Sequence, residues 1–458
     1  MRMRTIFRSS PGGAGLAAVF LVIRLGSAEA NTITAAGVDP QSVLAAVALA
    51  SDGDTVVLPA GSATWTIPIA VDCGSITIQG AGIGRTVITD NVPKATGATS
   101  VLWTFNTTPG KSFRLTGLSV YGQAQDTNNN NKGTLVFFGG SHAVRVDHVE
   151  IHRPGTGGML FNGDMWGVID HCVFDESNFK QAIQVQHANW LGTSYGDGSW
   201  HDSLSLGTEK AIYIEDCTFL GSGSAGAGVV DSTAGGRFVF RNNVVTNDYL
   251  ATHGTEGSIY QGVRSYEIYN NTFVNQNNIM FTAIYLRGGT GVIFNNTLGG
   301  SGGATGYKSA IVMANYRSDM ANNHFSVPWG MCTGSNPWDG NTDSLGYPSI
   351  GQVGRGTEAN AIRRDAQGSP TNATTGTPSW PHNASEPLYE WGDKWSPIPN
   401  NVGSFIGAQQ AIIQQKRDYF VGTPKPGYTP YTYPHPLVTG ASPSTTPAAP
   451  QNLRVTVP

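Results

Sequence analysis

A short unit recurs along the chain and constrains its fold more than any other feature. Each unit is a strand of alternating side chains, then a polar pair that is most often Asn-Asn, then one more apolar residue. The spacing between successive final apolar residues is 23 to 28 residues, apart from one interval of 45. Repeats of this length predict a solenoid, in which each coil buries its inner face against its neighbours. The seven final residues are Ile151, Phe174, Phe219, Val245, Phe273, Leu298 and Phe325.

The second Asn of each pair is predicted to form a ladder along the solenoid. Equivalent residues stack about 4.8 Å apart in such a fold, so each amide can bond to the one above and below it. An Asn at a sharp bend also tolerates left-handed backbone geometry. Chance Asn pairs in an antiparallel, loop-rich protein are the alternative, and four pairs in one frame argue against it. The ladder would consist of Asn243, Asn271, Asn296 and Asn323, continued by Cys172 and Cys217.

The interval of 45 residues is interpreted as two periods, with one coil lacking the unit. On this count Cys172 and Cys217 lie roughly 9 to 10 Å apart along the axis. That distance exceeds the reach of a disulfide. We therefore assign no disulfide among the four cysteines, whose spacing also does not indicate a metal site.

These repeats resemble the right-handed parallel β-helix proteins of the pectate lyase-like (pectin lyase fold) superfamily. The resemblance covers roughly residues 31–325. It implies an all-β, right-handed parallel β-helix and activity on polysaccharide. The tight catalytic signatures of a named lyase or polygalacturonase family are not among its residues, so the resemblance implies no site residues.

Both termini are expected to differ from the solenoid. Residues 1–30 have the basic start, apolar run and small-residue cleavage site of a secretory signal, and the run is too short to span a membrane. Asp39 and Pro40 predict the start of a short helix that caps the first coil.

Residues 326–440, rich in Pro and Trp, are expected to pack on the β-helix and to contain a helix over Ala408–Arg417. Residues 441–458 are predicted to be a Ser/Thr/Pro linker and the start of a fibronectin type III-like module.

Composition narrows the classes of partner. Only 13% of residues are charged, 59 are Gly, and the net charge is −4, with no Lys/Arg cluster. These features are typical of a turn-dense all-β protein and argue against nucleic acid as a partner. We expect a secreted or periplasmic or cell-surface monomer that acts on polysaccharide and has no membrane partner. The Asx-rich loop 126–132 makes Ca²⁺ a candidate cofactor, but a solvated turn is favoured because the loop has one carboxylate.

The strand before each ladder strand carries the residues suited to polysaccharide chemistry. An acid, an imidazole, a guanidinium and a phenol on one face of successive coils would form a cleavage site. Aromatic rings nearby, from Trp166, Tyr285 and Tyr316, could stack on sugar rings. The candidates for this face are Asp164, His187, Asp231, His253, Arg287 and Tyr316.

Three functions remain open, of which a polysaccharide lyase is preferred. For β-elimination on a uronic acid polymer, His253 or Tyr285 would be the base and Arg287 or Arg264 would neutralise the developing charge. Asp231 belongs to the same candidate catalytic group. Substrate binding is assigned to Asp164, His187, Glu256, Tyr316 and Trp166.

A glycoside hydrolase is the first alternative, because Asp164, Asp231 and Glu256 could supply the two carboxylates that hydrolysis needs. A non-catalytic carbohydrate-binding β-helix is the second. Each residue also has a structural interpretation. His253 could bond within its loop, Arg287 could be a surface arginine, and Asp231 could form a turn. Arg241 and Glu215 share a frame position and are expected to form a weak surface pair.

Overall fold

The chain folds into a parallel β-helix of three strand ladders. Two ladders form one 20-stranded sheet, because the long strands Ser112–Tyr121 and Ala143–His152 belong to both. A separate 10-stranded sheet, called sheet 3, closes each coil. The computed structural model describes residues 30–93, 101–122, 133–153, 157–176, 181–222, 228–255, 259–300, 306–318, 331–332, 348–357, 362–364, 370–372, 383–395, 402–405 and 412–440.

Ladder 1 consists of Thr32–Thr34, Thr55–Val57, Ile76–Gln79, the first halves of the two long strands, Gly167–Asp170, Ile212–Glu215, Arg237–Arg241, Ser265–Tyr269, Thr290–Phe294, Leu388–Trp391 and Tyr419–Val421. Ladder 2 consists of Gly61–Trp65, Thr86–Asp90, the second halves of the long strands, Val173–Glu176, Thr218–Gly221, Val244–Thr246, Thr272–Asn275, Thr297–Gly300 and Lys394–Trp395. Sheet 3 consists of Ile69–Cys73, Trp103–Thr107, Gly133–Gly139, Gly157–Gly163, Ile183–Gln186, Val230–Thr233, Leu250–Thr252, Ile284–Leu286, Ile311–Met313 and Val402–Phe405.

The remaining elements are short. The helices are Pro40–Ala48, Asp197–His201 and Pro436–Thr439, with 3-10 turns at Trp190–Gly192 and Tyr316–Ser318. Two-stranded pairs join Ile279–Met280 to Gly306–Tyr307, Arg355–Thr357 to Asn383–Ser385, and Ile362–Arg364 to Pro370–Asn372.

Inward side chains of equivalent strands stack along the axis and form the core. The rings of Phe137 and Phe161 lie 4.5 Å apart and nearly parallel, and those of Phe174 and Phe219 lie 4.9 Å apart. The predicted amino-terminal helix is confirmed as Pro40–Ala48, and the Asp39 carboxylate accepts a hydrogen bond from the Ser42 amide. This bond satisfies one of the amides that a helix start leaves unpaired.

The predicted Asn ladder is confirmed over its described members. Asn243 Nδ2 donates to Asn271 Oδ1 at 3.1 Å, and Asn271 Nδ2 donates to Asn296 Oδ1 at 2.9 Å. The left-handed backbone belongs to the residue before each ladder Asn, such as Asn270 with φ of 57°. In each turn, the first Asn therefore adopts the left-handed backbone and the second Asn forms the ladder hydrogen bonds. Asn323 lies outside the described residues.

The interpretation of the 45-residue interval as two coils is wrong. Strand Val173–Glu176 pairs directly with Thr218–Gly221, with Phe174 opposite Phe219. The interval is therefore one coil with an insertion, which includes the 3-10 turn and the helix Asp197–His201. Cys172 and Cys217 consequently lie on adjacent coils, and both are free and buried. Counting residues could not distinguish a missing coil from an inserted loop.

Parallel pairing continues past the predicted boundary at residue 325. Leu388–Trp391 extends ladder 1, Lys394–Trp395 extends ladder 2 and Val402–Phe405 extends sheet 3. The predicted helix over Ala408–Arg417 is wrong where it can be compared, because residues 412–417 form turns and an isolated bridge. Residues 1–29, the loop 126–132 and residues 441–458 lie outside the described ranges.

Residues 428–439, called the carboxy-terminal strap, run back along the outer face of ladder 1. Tyr428 donates to Glu267, and Arg241 donates to the carbonyls of Tyr431 and Thr432 at 2.9 Å each. Apolar side chains of the strap pack on an outer apolar cluster of ladder 1. The Glu215–Arg241 pair is therefore fully buried and is not the expected surface pair.

Candidate active site

The outer face of sheet 3 brings together most of the candidate catalytic residues. Side chains alternate across a strand, so residues facing outward form rows along the axis. Asp231 pairs with Ala251, and Ala251 pairs with Tyr285. The same register places His253, at the end of its strand, beside Arg287. Parallel stacking therefore collects an acid, an imidazole and a guanidinium from three consecutive coils.

Asp231 and His253 form the centre of this cluster. Asp231 Oδ2 lies 3.0 Å from His253 Nε2 and accepts a hydrogen bond of 3.0 Å from Gln181 Nε2. Gln181 is held in turn by Gln184, whose amide donates to its side-chain oxygen. Asp231 is buried, whereas the His253 side chain is 37% exposed. The carboxylate thus fixes an imidazole that opens to solvent.

The surroundings of Asp231 favour its ionised form. Burial, the largest influence, raises the pKa of this carboxyl, but contacts with His253, Arg287 and Gln181 outweigh burial and lower the pKa below its usual range. The negative charge therefore stays next to the imidazole.

Arg287 completes the cluster. Its Nη2 lies 3.8 Å from Asp231 Oδ1, and its Nε donates to the Thr252 carbonyl at 2.6 Å. The guanidinium lies 5.7 Å from the ring centre of Tyr285 and 5.4 Å from that of Tyr316. The hydroxyls of these tyrosines are hydrogen-bonded to each other at 2.5 Å. Beside Arg287 is a pocket lined by Thr255, Asn315, Tyr316, Arg317, Ile350, Gly351 and Gln352.

Arg264 is not part of this cluster. Its side chain is almost fully buried and makes paired contacts with Glu386, and its guanidinium lies over the Trp200 ring at 5.2 Å. Its charge is already matched by a carboxylate, so this geometry does not favour Arg264 as the group that neutralises substrate charge.

The surroundings of His187 do not favour a substrate-binding role for this residue. Its side chain is fully buried, and Nδ1 bonds to the Gly163 carbonyl at 2.9 Å. Burial, followed by the charge of Arg237, lowers the pKa of His187 to about 3, so the ring is neutral. The residue follows its strand directly and faces inward, which alternation from Ile183 and Val185 predicts.

Asp164 and Trp166 lie together at the end of an earlier coil. Asp164 accepts from the Leu191 amide at 3.1 Å and lies 3.4 Å from His142 Nε2. Trp166 stacks on His142 and packs against Trp190. Sheet register places the coil of Asp164 two steps from that of Asp231. Glu256, the third candidate carboxylate, lies outside the described residues.

Sequence analysis missed several residues at the cluster. Gln181 and Thr252 contact Asp231 and Arg287, and Arg317 lines the adjoining pocket with its side chain almost wholly buried. Correct alignment of the sheet 3 strands would have placed Gln184 beside Asp231. Among the described residues, no three His, Cys, Asp or Glu side chains converge as a metal site.

Comparison with known proteins identifies the fold. Residues 116–273 match the family model described as a right-handed beta helix region. The predicted right-handed parallel β-helix is confirmed. No curated protein sequence matches the chain. In the described part of the β-helix, no helix has the length and apolar character needed to span a membrane.

Several solved structures resemble this β-helix at low sequence identity. An alginate lyase from Paenibacillus sp. str. FPU-7 is 16% identical with a TM-score of 0.38, over 61% of this chain and 99% of that chain. A mannuronic acid specific polysaccharide family 6 lyase from human gut microbiota is 16% identical with a TM-score of 0.33, over 64% and 85%. The catalytic domain of a GH87 alpha-1,3-glucanase is 10% identical with a TM-score of 0.32, over 86% and 67%. Scores this low carry no argument about chemistry.

Proposed function

We propose that the protein is a polysaccharide lyase that cleaves a uronic acid-containing glycan by β-elimination. The observation that carries the proposal is the convergence of Asp231, His253 and Arg287 on the outer face of sheet 3. Elimination next to a carboxylate needs a base and a cation at the developing charge. This cluster supplies both.

His253 is the base in this proposal. With the Nε2 proton donated to ionised Asp231, the imidazole lone pair resides on Nδ1. The lone pair takes the proton from the carbon that bears the carboxylate, and Asp231 stabilises the imidazolium that forms. The carbon that loses the proton is C5 of the uronic acid. The electrons of the broken C–H bond form a double bond between C5 and the neighbouring C4. The bond from C4 to the glycosidic oxygen then breaks.

Arg287 neutralises the substrate carboxylate as charge builds up on it. The bond from its Nε to the Thr252 carbonyl directs the guanidinium along the face of the two tyrosines. The hydrogen-bonded pair Tyr285 and Tyr316 supplies the proton that the leaving oxygen takes up. Arg287 also places positive charge at the cluster, which an acidic protein needs to bind an acidic polymer.

Ultraviolet absorbance of the unsaturated product tests the proposal. Purified protein is incubated with alginate, polygalacturonate and hyaluronan, with and without Ca²⁺. We expect the absorbance to rise with at least one polymer, and H253A and R287A to abolish the rise. The matched control is H171A, since His171 also contacts a neighbouring carboxylate, Asp170 at 2.9 Å, but lies on a distant turn.

Other outcomes would decide against elimination. New reducing ends without a rise in absorbance would indicate hydrolysis. Asp164, Asp231 and Glu256 would then be the candidates for the two catalytic carboxylates. Binding without any cleavage would support a carbohydrate-binding protein. Loss of activity in H171A equal to that in H253A would show that the effect is not specific to the cluster.

We further propose that residues 1–30 direct export and are then removed, so that the protein meets its polysaccharide outside the cytoplasm as a monomer. The support is the basic start, apolar run and small-residue site of this segment. Mass spectrometry of protein recovered outside the cytoplasm should show a chain that begins at Asn31. A chain that retains its first residues would contradict the proposal.

A further inference from the structure

Two loops meet beside His253 at the edge of sheet 3. The Gln261 amide donates to the Tyr195 carbonyl at 3.0 Å, which joins the loop of the long insertion to the loop after His253. Gly262 forms an antiparallel bridge with Thr233, and the Val263 amide donates to the His253 carbonyl at 2.9 Å. The two loops therefore form one wall directly next to the candidate base.

Two aromatic side chains stand on this wall. The rings of Tyr195 and Tyr260 lie 5.3 Å apart at an angle of 71°, an edge-to-face arrangement that orients one ring by the other. Tyr260 is 42% exposed, so part of its side chain is open to solvent beside His253. A tyrosine presents an apolar ring face together with a polar hydroxyl, a combination suited to sugars.

The floor beside the wall is a row of neutral polar side chains. Sheet register places Asn162, Gln186 and Thr233 in line, and His253 and Arg287 continue the line. Successive positions are about 4.8 Å apart along the axis. The first three are partly exposed and uncharged, whereas positive charge is concentrated at the Arg287 end. The two sides of His253 thus offer different chemistry.

We propose that Tyr260, supported by Tyr195, stacks on a sugar ring of the glycan at a subsite on the amino-terminal side of His253. The amide of Gln186 and the hydroxyl of Thr233 form the floor of this subsite and bond to sugar hydroxyls. The inference rests on the proposed function for its occupant, a unit of the same polysaccharide. Because the recognition is through the ring face and neutral groups, it does not depend on a carboxylate, which Arg287 recognises instead.

Binding measurements test the subsite separately from catalysis. Titration calorimetry with oligosaccharides of alginate, polygalacturonate and hyaluronan would compare H253A with H253A/Y260A and H253A/Y260F. We expect Y260A to weaken binding about tenfold and Y260F to retain it, because an aromatic contact is worth roughly one decade in Kd. The loss should be the same at about 0.05 and about 1 M NaCl, whereas the loss from R287A should shrink at high salt.

Each result bears on one proposal or the other. Equal binding by H253A and H253A/Y260A, failure of Y260F to rescue, or a loss that vanishes in high salt would overturn the subsite, as would no binding to any of the three glycans. A different result would overturn only the lyase proposal. If binding depends on Tyr260 but the wild-type protein cleaves none of the three glycans by elimination, the subsite is supported and the lyase activity is not. Thermal unfolding of the variants checks that Y260A folds, which exposure of Tyr260 leads us to expect.

Discussion

Asp231 Oδ2 lies 3.0 Å from His253 Nε2, although the two residues come from separate coils. The contact depends on the parallel register that stacks Asp231 over Ala251, two positions before His253. Gln181 donates to the same carboxylate oxygen, so the acid cannot turn away from the imidazole without losing a buried bond. An orientation fixed in this way resembles the role of the acid in other acid–imidazole pairs.

D231N should therefore lower kcat on a cleaved polymer by about two to four decades while changing KM less. The amide keeps the shape of the side chain, but it removes the negative charge that stabilises the imidazolium. Steady-state kinetics on wild type, D231N and the control H171A would measure the change. A D231N enzyme with wild-type kcat would show that Asp231 is only a structural residue.

N271A should lower the free energy of unfolding by about 2 to 4 kcal/mol, because it leaves several buried partners without a hydrogen bond. Asn271 accepts from Asn243 and donates to Asn296 and to the Phe240 carbonyl. The matched control is N270G at the neighbouring left-handed position, which should change stability by a few tenths of a kcal/mol. Urea denaturation would compare the two, and equal effects would contradict a special role for the ladder.

The ladder was predictable from the sequence because it joins residues at one fixed position of a repeating frame. The same frame also fits Leu388–Trp395, where Gly392 takes the left-handed position with φ of 70° and Asp393 takes the ladder position. This coil carries Gly-Asp in place of the Asn pair, so a pattern of Asn pairs does not include it. The first position requires a residue that tolerates a left-handed backbone, and the second requires a side chain that bonds along the ladder. Gly392 and Asp393 meet these requirements without being Asn.

The candidate site was predictable only in part. Alternation and strand order were enough to place Asp231, His253 and Arg287 on one face. They did not reveal that Arg264 is already paired with Glu386, a residue far away in sequence. Such contacts involve loops of irregular length, and a local pattern carries no information about where those loops return.

Stability should fall as the pH rises toward about 8, because Asp393 is held protonated in the folded protein. Burial, and then the charge of Glu390, raise the pKa of Asp393 to about 8, although bonds from Asn296 oppose the rise. A raised pKa means that the stabilisation is fully present below the unfolded pKa of about 4 and is lost as pH rises through about 8.

D393N should remove most of this decline and be more stable than wild type by at least about 1 kcal/mol at the alkaline end. The amide keeps the oxygen that accepts from Asn296 and carries no charge at any pH. Urea denaturation of both proteins between about pH 5 and pH 9 would measure it. Parallel curves for the two proteins would contradict the assignment.

R241M should lower the free energy of unfolding by about 3 to 5 kcal/mol, because it leaves the buried Glu215 without its partner. It also removes the two bonds that hold the strap carbonyls of Tyr431 and Thr432. The double variant R241M/E215Q should recover part of the loss, since no charge is then buried alone. Recovery near zero would mean that the strap contacts, rather than the ion pair, dominate.

R287K should lower kcat by about two decades even though it keeps the positive charge. Lysine cannot reproduce the fork of Arg287, in which Nε bonds to the Thr252 carbonyl at 2.6 Å while Nη2 approaches Asp231. A flexible ammonium would be drawn to Asp231 itself, which would weaken both the neutralisation of the substrate carboxylate and the basic character of the pair. R287A should be slower still, and the exposed R153A is the control, because Arg153 is 50% exposed and only loosely paired with Asp175 at 3.9 Å. If R287K and wild type have the same kcat, a point charge is sufficient there and the directed geometry of the guanidinium has no part in catalysis.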